Sequence, residues 1–247
     1  MSATRLRLAA LAALLALAGG AHAEPLKIAL ASEPTAVDPH YHQATPNNAL
    51  AAHIFETLVA QDAKMNLTPA LAESWRAVDD STWEFKLREG VKFSNGEPFT
   101  PQDVIFTFCR VVNNEEAIAG SYASVVKKFA GVEAVDGQTL RIKTRAPYPL
   151  LPNDLTRMGI LWSGITEHGA ITFDLENKCG VTGAWPKVND FNTGKLAIGT
   201  GPYKLKSYVK GTGIELERNE TYWGTKPEWK TVKFVPVPNA GPRLTGL

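Results

Sequence analysis

Four side chains near the start of the chain are of the types that hold metal ions: Asp38, His40 and His42 in one short stretch, and His53 a little further on. Imidazole suits nickel, copper or zinc. Histidines at alternate positions of a loop are as readily solvated side chains, and the spacing matches no common zinc pattern. The expectation is no metal and no cofactor. Gly199-Thr200-Gly201 invites a phosphate-loop reading, but it lacks the terminal Lys and Ser/Thr and precedes a strand rather than a helix, so a structural turn is expected. No G-x-S-x-G, H-E-x-x-H or paired C-x-x-C occurs. Carboxylates are plentiful, but nothing in the sequence brings two together as an acid and base pair. The chain reads as a binder rather than an enzyme.

The elements that must position such groups begin with a leader. Arg5 and Arg7 precede an apolar run from Leu8 to Leu17, and Ala21-His22-Ala23 forms a cleavage site, so residues 1–23 read as a secretory signal peptide. The run is too short to span a bilayer. The 26 basic and 25 acidic residues nearly cancel, and loss of Arg5 and Arg7 with the leader leaves a formal charge of −1. Near-neutrality without a basic cluster argues against nucleic acid or an anionic membrane as partner. An apolar fraction of 44% permits a substantial core. Cys109 and Cys179 are the two cysteines; one disulfide is the favoured reading for an exported chain, with two unpaired buried thiols as the alternative.

The most structured stretch runs from Asp79 to Arg110. Trp83, Phe85 and Leu87 alternate with Glu84, Lys86 and Arg88, the period of a strand with one buried face. Val91 and Phe93 flank Lys92 in a second short run, and Asn95-Gly96 turns the chain. Thr100-Pro101-Gln102-Asp103 then opens a helix by its capping residues, and Val104, Phe108 and Val111 recur on one face. Elsewhere, Leu26 to Ala31 reads as a buried central strand, and Asn47 to Ala60 as a helix with Leu50, Ile54 and Leu58 on one side. Val132 to Lys143 reads as a hairpin about Asp136-Gly137. Residues 163–198 read as a long surface excursion.

Several motifs fall in one order: Glu73-Ser74-Trp75, Leu87-Arg88-Glu89-Gly90-Val91-Lys92-Phe93, Gly96-Glu97-Pro98-Phe99-Thr100, Asp103-Val104, Arg110, Gly199-Thr200-Gly201-Pro202-Tyr203 and Asn219-Glu220-Thr221-Tyr222-Trp223. In this the chain resembles the family 5 extracellular solute-binding proteins, the peptide-, dipeptide- and nickel-binding components of bacterial ABC importers. The resemblance implies an α/β fold of the type II periplasmic-binding-protein kind, with mixed sheets and helices. It implies a discontinuous lobe over residues 24–60 and 160–247, with a subdomain inserted over residues 61–159. Members of the family are about twice as long, so the resemblance also implies an N-terminal half only, with the second lobe missing after Leu247.

What the resemblance implies for function is capture of a peptide in the periplasm by a monomer that delivers it to a membrane permease. The alternatives are nickel, opine or another small solute, a non-binding remnant, or, from a different class, a secreted hydrolase. Ligands of sheets flanked by helices bind just outside strand ends. That rule and the family pattern together make Glu33, Pro34 and Thr35, after the first strand, candidate ligand contacts. Tyr122 lies where relatives carry ligand-facing residues, and Trp162 is a further candidate.

Overall fold

The computed structural model describes residues 24–118 and 122–245; the leader reading over residues 1–23 lies outside the described residues. In chain order the elements are β1 (Leu26–Leu30), α1 (Thr45–Ile54), β2 (Val59–Gln61), β3 (Leu67–Pro69), β4 (Ala72–Asp79), β5 (Thr82–Leu87), α2 (Pro101–Val112), α3 (Ala123–Val126), β6 (Phe129–Ala134), β7 (Thr139–Thr144), α4 (Leu151–Asp154), α5 (Val188–Asn192), β8 (Tyr203–Val209), β9 (Gly213–Arg218), β10 (Thr231–Pro236) and α6 (Ala240–Thr245). They build two four-stranded sheets, ordered β1-β10-β9-β8 and β4-β5-β7-β6, and the small ribbon β2-β3. The first sheet is mixed, β1 running parallel to β10 while the other pairs are antiparallel. One cluster of buried apolar side chains, including Phe55, Phe85, Phe108, Leu140 and Leu216, extends under both sheets. No helix among the described residues is long and apolar enough to cross a membrane.

The local signals of the central stretch form the elements they announce. β5 pairs with β4 and β7, placing Phe85 and Leu87 in the core. Each such side chain contributes roughly 1.5–3 kcal/mol by leaving water. Asp103 takes up the free donors at the start of α2, accepting from the Thr100 N–H and hydroxyl at 2.8 Å each. The turn at Asp136-Gly137 closes β6 onto β7.

Four expectations need correction. Leu26 to Ala31 is not a buried central strand: β1 is an edge strand of its sheet among the described residues, with Lys27 and Ala29 exposed. Its apolar residues cover one face only, and β10 pairs with it on one side. The helix expected over Asn47 to Ala60 stops at Ile54, where Phe55 is extended. The cause is Gly199-Thr200-Gly201, which closes against the helix end: the Gly201 N–H donates to the Ile54 carbonyl at 2.9 Å. A Cβ on Gly199 would lie 1.9 Å from that same oxygen, so only glycine fits. Val91 to Phe93 does not join a sheet but folds on itself, the Phe99 N–H donating to the Val91 carbonyl at 3.0 Å, and buries Val91 and Phe93.

The fourth concerns residues 163–198, which form a cover over α2 rather than a purely surface loop. α2 is buried nearly all round, from Asp103 to Val111. The cover supplies its second partner: Trp185 stacks on Phe106, and the Phe191 ring lies 5.2 Å from the Arg110 guanidinium while packing edge-on against Phe55 beyond α1. Cys179 is bonded to Cys109 of α2, closing the two cysteines, 70 positions apart, into a disulfide. Beneath the cover Arg110 forms a fully buried two-pronged pair with Asp38, at 2.7 and 2.5 Å, and also donates to the Pro186 carbonyl at 3.1 Å.

Candidate functional site

A recess of about 650 Å³ opens beside α1. Its wall is the face of α1 turned away from Leu50 and Ile54, carrying Asn48, Ala49 and Ala52. The small side chains leave room, and their helix is aimed by the glycines that close on its end. Across the opening stand Arg157 and Gly159, from the irregular segment after α4, and Tyr222 from the turn after β9. Glu56 lies at the inner end, just past the helix.

Glu56 is already committed to the protein. Its Oε1 accepts from the Tyr222 hydroxyl at 2.8 Å and its Oε2 from the Trp223 indole N–H at 2.6 Å. Burial pushes its carboxyl up from the ordinary range, and these two donors oppose that push. Burial, with the Glu56 charge second, pushes the Tyr222 phenol up as well. The Arg88 guanidinium lies over the Trp223 ring, 4.6 Å from its centre. Glu56 is thus a clamp that fixes the 219–224 turn through both carboxylate oxygens.

Asn48 and Arg157 also line the recess. Asn48 accepts from the Tyr122 hydroxyl through Oδ1 at 3.2 Å, which orients the amide and leaves its NH₂ group as the donor end. Arg157 is exposed and has no ion-pair partner among the described residues. The recess therefore offers donors to a ligand while its own carboxylate is satisfied. Such donors match carbonyl and carboxylate oxygens in chemistry.

The sequence candidates stand elsewhere. Both Glu33 carboxylate oxygens accept from the Gly211 N–H at 2.9 Å, and the Pro34 carbonyl accepts from the Tyr208 hydroxyl at 3.1 Å. Thr35 is exposed and donates its N–H to Asn47 Oδ1 at 3.2 Å. Glu33 and Pro34 pin the loop after β1 to the β8–β9 hairpin, Thr35 ties it to α1, and none of the three lines the recess. Tyr122 is buried behind the wall, its phenol pushed up to about 12 chiefly by that burial, and it reaches the recess only through Asn48. Trp162 is half-buried, its ring folded over Gly164, where an added Cβ would meet it at 2.4 Å.

The four metal-type residues do not converge. Arg110 occupies both oxygens of Asp38, His40 is bound to the Gly159 carbonyl at 2.8 Å, and His53 to the Ala49 carbonyl at 2.7 Å. Among the described residues no three potential ligands gather at one point. Asn48, Glu56 and Arg157 carry no signal in the sequence, because no motif joins them. Tyr222 and Trp223 do belong to a quoted motif, and their bonds to Glu56 explain why that aromatic pair is needed.

Comparison with known proteins adds three findings. The sequence pattern for bacterial extracellular solute-binding proteins, family 5, middle region, matches residues 66–247. The periplasmic oligopeptide-binding protein OppA of Haemophilus influenzae is 32% identical over 213 residues, covering 79% of this chain and 36% of that protein. The nickel-binding periplasmic protein of Escherichia coli is 30% identical over 214 residues, covering 85% and 37%. The chain thus spans little more than a third of the length of these relatives. Among solved structures, Haemophilus influenzae OppA in complex with the peptide RPPGFSPFR superposes with a TM-score of 0.72 at 27% identity, over 90% of this chain and 44% of that one. The unliganded open form of the murein tripeptide binding protein MppA gives 0.73 at 23% identity, over 91% and 44%. The fold is that of the periplasmic binding proteins.

Proposed function

The chain belongs to the bacterial extracellular solute-binding proteins of family 5, and from that premise we propose that it captures peptides in the periplasm for uptake by an ABC importer. The observation that carries this reading is the donor-rich recess. A peptide presents a carbonyl at every residue and a carboxylate at one end, the acceptors that Asn48 and Arg157 lack. A bare cation needs several anionic or imidazole ligands at one point, and the recess supplies one carboxylate with both oxygens already bound. The alanines of its wall tolerate varied side chains. Capture, rather than turnover, is the mechanism: ligand bound on this wall favours a closed form that the permease recognises.

The test is calorimetry and thermal shift on the full-length protein with a panel of di- to nonapeptides and, separately, with Ni²⁺. Peptides should raise the melting midpoint, since ligand binds the folded state alone. Arg157→Gln should weaken peptide binding by about tenfold or more, the worth of a hydrogen bond to a charged group. A protein that answers to Ni²⁺ or its chelates and to no peptide would overturn the assignment.

A further inference from the structure

The recess does not end at Arg157. Arg157, Thr156 and Gln61 also wall a second hollow of about 350 Å³, whose far side is Lys128. Lys128 in turn borders a third, of about 390 Å³, together with Lys127 and Arg145. The three hollows form a series in which each shares lining residues with the next. Its charge is one-sided: against four cations, the residues lining the second and third hollows include one carboxylate, Asp154. That carboxylate already accepts from the Tyr148 hydroxyl. Lys128 is held in place, its ammonium donating to the Tyr148 oxygen at 2.8 Å and lying 4.0 Å from the ring centre. A lysine tethered in this way loses less side-chain freedom on meeting an anion than a free one.

We propose that the second hollow is a further ligand subsite, in which Arg157 and Lys128 receive an anionic extension of the bound molecule: the acidic side chain or terminal carboxylate of a longer peptide. Met65 and Val125 line the same hollow and offer contact to the methylene groups that carry such a charge. This inference rests on the peptide reading above and narrows it to longer, acid-bearing ligands.

The experiment is calorimetry on the full-length protein with peptides of equal length that differ only by Asp against Asn, placed at successive positions. One position should favour Asp by about fivefold, the upper range for a solvent-exposed ion pair, and the preference should shrink as salt is raised. Lys128→Met should weaken that preference while binding a short neutral peptide as the unsubstituted protein does. Equal affinity for Asp and Asn at every position, or equal loss of the short neutral peptide in Lys128→Met, would overturn the subsite and leave peptide capture standing. Failure of every peptide to bind would overturn both.

Discussion

At the scale of single residues, His40 is a buried group whose burial makes the fold sensitive to acid. Its Nε2–H donates to the Gly159 carbonyl, which can only accept, so Nδ1 is bare and has no partner among the described residues. Burial first, and the neighbouring Arg110 charge second, push its pKa from 6.5 to about 4. Above about pH 6.5 the ring is neutral in both folded and unfolded chain, and its contribution is intact. As pH falls from there to about 4, the unfolded chain binds a proton that the folded one refuses, and stability is lost, on the order of 3 kcal/mol in all. The buried carboxyls of Glu56 and Asp103 are pushed up and act with the opposite sign in acid. Urea denaturation across that window should therefore show His40→Gln losing less stability with acid than the parent; parallel curves would refute the assignment. Because Gly159 also lines the recess, this pin ties the loop after β1 to the wall of that recess.

Elements are joined here by a few polar residues that serve two partners at once. Asp103 caps α2 through Thr100, and its other oxygen accepts from the Ser163 N–H at 2.8 Å, so it anchors the start of the cover as well. Asp103→Ala leaves three donors without their acceptor and should cost about 2–3 kcal/mol, read as a lowered midpoint in thermal or urea unfolding. Asp103→Asn, which can still accept, should cost less. Only half of this design was legible in the sequence. Thr100-Pro101-Gln102-Asp103 announces a helix start because the capping atoms are three residues apart; Asp136-Gly137 announces a hairpin for the same local reason. The second role of Asp103, toward Ser163, has no local signature. β4 was unreadable for a different reason: from Glu73 to Asp79 it is largely exposed, so no alternation of apolar and polar residues marks it. Its charged residues and two register shifts suit an unpaired edge. The recess was illegible throughout, since Asn48, Arg157 and Tyr222 come from three distant segments and meet only after both sheets have formed. The family motifs were legible, and most of their residues are turn and core residues, with Pro202 and Tyr222 also lining the recess.

Over the whole molecule, the Cys109–Cys179 disulfide holds the cover on α2, and with it the buried Arg110–Asp38 pair. Closing a loop of this length stabilises by roughly 4 kcal/mol in the chain-entropy account. A reductant, or the double substitution Cys109→Ala and Cys179→Ala, should shift the denaturation midpoint to match, and reductant should do nothing further to the doubly substituted protein. An unchanged midpoint would mean that packing by Phe191, Trp185 and Pro186 suffices. The parallel pairing of β1 with β10 has a consequence of another kind. Ile28 finds its partner in Phe234, about two hundred positions later. A ribosome therefore releases one side of that sheet long before the other exists, and the early strand must be kept from pairing with strangers in the meantime.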